Sequence, residues 1–201
     1  MKKRVTFSLL MFTLFAALVL AAPMSVGMSG GMSGMAMGML VSSEFEFLAG
    51  MVPHHRQASD DAQIALERSE RPEVQQLAQQ IIDAQEAEIA QMEGWLAEWY
   101  PEGDRQQVAT KMNQAMMDMG MPDLDLSGDA FDQAFLEGMT MHHQMAIQMV
   151  DSLLSQNLVE HDAVRTLAQE IRSAQEAEII EMQGYLEAWF GDTAAGGHSS
   201  H

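Results

Sequence analysis

Two imidazoles beside a thioether make a soft-to-borderline ligand set, and this sequence carries that set twice. The first copy is Gly50-Met51-Val52-Pro53-His54-His55, and the second is Gly138-Met139-Thr140-Met141-His142-His143. Each is followed by a matching block. One is Ala84-Gln85-Glu86-Ala87-Glu88-Ile89 with Met92, and the other is Ala174-Gln175-Glu176-Ala177-Glu178-Ile179 with Met182. At about 100° per residue, Met51 lies between His54 and His55 around a helix, and Met139 lies between His142 and His143. Glu88 and Met92 share a helical face one turn apart, as do Glu178 and Met182. A hairpin closed in register would bring a carboxylate and a second thioether to each His pair.

The residue types narrow the chemistry. Thioether sulfur prefers Cu(I), or its mimic Ag(I), to hard cations, while imidazole suits copper and zinc. The chain has no cysteine, and a Met/His site without thiolate favours copper over zinc. Copper is therefore expected as Cu(I), with Ag(I) or Cu(II) as alternatives. Glu88 and Glu178 interrupt apolar stripes, where an isolated carboxylate is costly. Each could accept from a His N–H and fix which ring nitrogen faces a metal. A blander reading stays open: His-Glu pairs as buried polar locks in a structural or interaction module, with the Met residues as packing. Other chemistries lack their patterns. No Glu stands three residues before a His, as di-iron carboxylate bundles require. No HExxH and no phosphate loop occurs, nor does a nucleophile elbow. The chain is expected not to be an enzyme.

Composition agrees with a cation-binding role. The formal net charge is -19 over 201 residues, which disfavours nucleic acid and anionic membranes as partners. Metal ions are the expected partners; a copper-transfer protein and self-association into a homo-oligomer stay open. Methionine is in excess, with 20 residues.

Residues 1–22 read as a secretory signal. Lys2-Lys3-Arg4 precede an uncharged apolar run, and Ala21 and Ala22 stand near a cleavage point. The run is shorter than the about 20 residues of a membrane span. Export to the periplasm or medium is expected, with cleavage near residue 22. Residues 23–42 are a Met/Gly/Ser-rich linker whose thioethers are either compositional drift or a soft-metal tail. The first helical hairpin is placed at residues 43–103. Ser43 and Glu46 form a capping box, and Phe47, Met51, His54, His55, Ala58 and Ala62 lie on one face. Pro53 interrupts this pattern, and one helix with a local kink is favoured. Pro72 suits the first turn of the next helix. Residues 104–126 are a Met-rich connector with a short helix from Asp104 to Met119. The second hairpin, residues 127–190, starts at a Ser127 N-cap, and its last helix runs from about Glu160 to Phe190. Gly94 and Gly184 sit mid-helix, where close helix contact is one explanation. Residues 191–201 are a flexible tail ending in His198 and His201.

Two hairpins with broad apolar stripes pack best against each other. The fold class is therefore all-α: a duplicated helical hairpin forming an antiparallel four-helix bundle.

At Met-x-x-His-His-x-x-Ala and Gln-x-x-Glu-Ile-x-x-Met the sequence resembles the domain-of-unknown-function family DUF305. The resemblance covers most of residues 44–190 and implies a ferritin-like helical fold and copper binding outside the cytoplasm. Carried over, Met51, His54, His55, Glu88 and Met92 match in the first repeat. Met139, His142, His143, Glu178 and Met182 match in the second. The second repeat adds Met149 in the family's usual second Met place, where the first has Asp61; Ser59 likewise replaces Ile147. The first repeat is thus expected to bind Cu(I) more weakly, or to prefer a harder ion.

Overall fold

The computed structural model describes residues 41–120 and 124–191. The signal-like segment, the linker up to residue 40, Met121 and the tail with His198 and His201 lie outside the described residues. Within them stand five helices and no strand.

Ser43 caps α1 (Glu44–Arg68), its Oγ accepting from the Glu46 N–H at 3.1 Å. The second half of the expected capping box is shifted by one residue. Glu46 Oε2 accepts from the backbone N–H and the hydroxyl of Ser42, at 3.0 and 2.6 Å, rather than from Ser43. α1 runs unbroken through Pro53, whose missing N–H removes one helical hydrogen bond. α2 (Pro72–Trp99) starts with its proline in the first turn, where that N–H is not needed. The connector helix is α3 (Arg105–Asp118), capped by Asp104, which accepts from the Gln107 N–H at 3.0 Å. α4 (Asp129–Ser155) begins after Gly128 rather than Ser127. Gly128 has φ +58°, which glycine adopts without the Cβ penalty. α5 (Asp162–Phe190) begins two residues after Glu160, with His161 as its N-cap.

That last start is set by a side chain from α1. Glu44 is fully buried, and its Oε2 accepts from the N–H groups of Glu160 and His161 at 2.6 and 2.9 Å. Its Oε1 accepts from the Tyr100 hydroxyl at 3.0 Å and lies 2.6 Å from His161 Nδ1. A carboxylate over the first turn of a helix meets both free N–H groups and the positive dipole end. The matching joint at the other repeat is Asp132 of α4, whose Oδ2 pairs with Arg71 Nε at 3.0 Å just ahead of α2. Arg71 also stacks over Trp189, 4.4 Å from its ring centre. Both joints tie one hairpin to the other.

α1 packs along α2, and α4 along α5; the hairpins meet with α1 facing α4, and α3 lies on α1. The apolar core is split into two clusters. One holds Phe47, Met51, Met92, Met149, Leu153 and Ile171, among others. The other holds Ala62, Leu77, Ile81, Phe135, Met139 and Met182, among others. Along α1 the first cluster includes residues up to Val52 and the second begins at Ala58. Along α4 the second ends at Met139 and the first resumes at Ala146. What separates them is His54, His55, His142 and His143.

Close helix contact does not account for Gly94 and Gly184. A Cβ added at either would meet nothing within 4 Å.

Candidate metal centre

All four histidines are fully buried, and they divide into two kinds. His55 Nε2 lies 2.8 Å from Glu88 Oε2, and His143 Nε2 lies 2.6 Å from Glu178 Oε2. The carboxylate accepts, so each Nε2 carries a proton, and in the neutral ring Nδ1 keeps its lone pair. Neither Nδ1 has a hydrogen-bond partner. This is the arrangement by which a carboxylate orients a metal-binding imidazole. The pairing of α1 with α2 and of α4 with α5 is the one expected from the sequence.

His54 and His142 behave differently. They face each other across the hairpin interface with ring centres 3.7 Å apart and planes inclined at 34°. None of their four nitrogens makes a hydrogen bond of ordinary geometry. Burial drives both well below the usual 6.5, and the neighbouring imidazoles add to it. Both rings are therefore neutral near pH 7, with a lone pair each. Buried polar groups normally find partners, and these imidazole nitrogens find none among the surrounding side chains. Gln85 and Gln175 belong to the same deficit: each is 2 % exposed and leaves both amide atoms unpaired. They interrupt the α2 and α5 stripes one turn before Glu88 and Glu178, a signal present in the sequence.

The thioethers lie on both sides of this layer. Met51 and Met92 share a cluster with Met149, which comes from the other hairpin. Met139 and Met182 share the second cluster, where the Thr140 hydroxyl lies 3.9 Å from the Met182 sulfur. The sequence expectation assigned Met149 to the second repeat and left the first one short. Met149 lies in a cluster drawn from both hairpins, the one that also holds Met51 and Met92 of the first repeat. Asp61, its counterpart on α1, is 9 % exposed and accepts from Gln57 at 3.0 Å. Burial raises the Asp61 carboxyl to about 6.

Among the described residues, no three His or carboxylate groups converge as a metal site by themselves. The donor set fits a soft ion, because imidazole lone pairs are free and thioethers flank them. It does not fit a hard ion, which needs several oxygens.

Fold and site together define a class: a duplicated helical-hairpin bundle whose hairpins enclose a layer of buried imidazoles between two apolar clusters that contain methionines. The chain belongs to the family described as Domain of unknown function (DUF305), whose model matches residues 44–186 and again 132–201. It is similar to CopM in its Ag-bound form, at 32 % identity and a TM-score of 0.62, covering 75 % of this chain and all of that one. CopM in the Cu(I)-bound form matches at 30 % identity and a TM-score of 0.59, over 75 % of this chain and 100 % of that one. A DUF305 fragment from Deinococcus radiodurans matches at 30 % identity with a TM-score of 0.59, over 74 % of this chain and 98 % of that one. A comparison with curated protein sequences gives no match.

Proposed function

We propose that this chain is an exported copper-binding protein that sequesters Cu(I), or hands it on, without catalysing a reaction. The observation that carries the reading is the facing pair of buried, neutral, unpartnered imidazoles, His54 and His142, between two apolar clusters that contain Met51, Met92 and Met149 on one side and Met139 and Met182 on the other. His54, His142 and the free Nδ1 atoms of His55 and His143 would supply nitrogen. Met51, Met92 and Met149 would supply sulfur on one side, and Met139 and Met182 on the other. Glu88 and Glu178 would hold their histidines in one tautomer. The acidic surface draws cations toward the molecule, and the signal-like N-terminus supports export. The resemblance to CopM, which has been seen with Ag, Cu(I) and Cu(II), supports copper over other metals. A transfer partner would be another copper protein.

The test is a Cu(I) titration against a chromophoric chelator, beside a variant with His54, His55, His142 and His143 all changed to Ala. Tight stoichiometric uptake by the parent chain, lost in the variant, is expected. Failure of the parent chain to take up copper at micromolar concentration would sink the proposal.

A second reading draws on the His55–Glu88 and His143–Glu178 pairs, which would also serve as metal-free polar locks. Changing His55 and His143, the histidines of those pairs, to Gln separates the two. On the metal reading the variant loses copper that the parent chain binds, whereas on the lock reading the parent binds none and the variant loses only metal-free stability.

A further inference from the structure

Outside the histidine layer lies a group of thioethers that no pairing explains. Met112 and Met116 of α3 and the residue that caps its C-terminus, Met119, recur at i, i+4 and i+7, a spacing that brings them to one side. With Met145 of α4 and Ala115 they form a cluster separate from both halves of the core. Met116 and Met145 are 5 % and 1 % exposed. The cluster opens to solvent at a pocket of about 550 Å³ lined by Met116, Met117, Gly120, Asn113 and Gln57. Met117 stands exposed at its rim. Inward, Met112 also packs against the cluster that holds Met51, Met92 and Met149. The junction is at Gly50. A Cβ there would lie 3.2 Å from the Met112 methyl and 3.4 Å from the Met149 methyl. The two thioether side chains therefore converge on the bare backbone of Gly50.

The geometry points to a second, all-thioether site for Cu(I) or Ag(I), formed by Met112, Met116, Met119 and Met145, that loads the histidine layer through Met112 and Met149. The inference rests on the copper-binding reading above. Packing alone does not call for four sulfurs, because Leu fills such a space with well-defined rotamers. Neutral thioethers without imidazole or carboxylate select a soft monovalent ion over zinc or Cu(II). Each inward step exchanges one sulfur ligand for the next. The metal keeps its oxidation state, and no proton is released, since a thioether carries none.

The experiment uses the full chain with Met112, Met116, Met119 and Met145 changed to Leu, a volume-conserving set. The readouts are Cu(I) and Ag(I) stoichiometry and the rate at which Cu(I) leaves a chromophoric chelator. The variant is expected to bind about one equivalent fewer and to load the remaining sites about tenfold more slowly. A Gly50→Ala variant keeps every sulfur and crowds only the junction; it should keep the stoichiometry and load more slowly. Where the fourfold variant does not fold, Met116→Leu alone with Gly50→Ala carries the same comparison. Unchanged stoichiometry and rate in these variants would overturn this inference while leaving the histidine site standing. No copper uptake by the parent chain would overturn both.

Discussion

Glu88 and Glu178 do for His55 and His143 what no side chain does for His54 and His142. The first two imidazoles are oriented and satisfied at Nε2; the second two have only each other. Removing Glu88 would leave a buried N–H unpaired, which costs about 1–3 kcal/mol. It would also free the ring to rotate, and loss of such an orienting carboxylate weakens metal binding by about 10–100-fold. Glu88→Ala should therefore lower both the urea midpoint of the metal-free chain and its Cu(I) affinity; an effect on neither would mean that the pair orients nothing. The other two imidazoles predict a pH dependence. Both titrate well below 6.5 in the folded chain. Once unfolded they take up protons below about pH 6.5, which the folded state does not, so stability falls as pH falls. Asp61 works with the opposite sign. Its folded value of about 6 stands above the ordinary 3.8, so between those values the folded chain holds a proton that the unfolded chain has lost. Two histidines outweigh one carboxyl. The metal-free chain should unfold at lower urea at pH 5.5 than at pH 7.5. Asp61→Met should steepen that loss, and His54→Leu with His142→Leu should abolish it. Equal midpoints at both pH values in the parent chain would count against the argument.

The helices themselves were largely legible as sequence. Their apolar stripes, the Ser43 cap and the first-turn Pro72 are local features, and local features survive into the fold. What failed was what depends on tertiary partners. Ser127 is a better cap by type, yet the chain turns at Gly128, whose φ of +58° a residue with a Cβ rarely adopts. Glu160 is outside α5 because the Glu44 carboxylate takes its N–H and that of His161. Gly94 and Gly184 also belong to this scale. They are exposed in the middle of α2 and α5 with open space where a side chain would begin. Glycine there costs helix entropy and gains no packing. Gly94→Ala and Gly184→Ala should each raise stability by about 0.5–1 kcal/mol, read as a higher melting temperature. A loss of stability in either variant would reveal a contact that the helix makes with something else.

At the scale of the molecule, periodicity says which face of a helix is buried but not which other face it meets. The stripe of α1 through Met51, His54 and His55 is compatible with more than one rotation of the hairpins, since several ridge-and-groove alignments bury similar area. The sequence therefore supports a Met/His/Glu set inside each hairpin, and the Glu-His half of that set stands as expected. The facing of His54 on His142 and the packing of Met149 in one cluster with Met51 and Met92 are properties of the interface, with no signal in either repeat alone. This has a consequence for binding. If ligands converge only when α1 faces α4, then residues 43–103 and 127–190 expressed separately should each bind Cu(I) far more weakly than the whole chain. Their mixture should recover affinity as the bundle reassembles, and added Cu(I) should favour reassembly, because a ligand that binds only the assembled state stabilises it by mass action. Chelator competition on each half, on the mixture and on the whole chain measures this directly. Two halves that each bind as tightly as the intact protein would return the sites to the individual hairpins and make the His54–His142 contact a matter of packing.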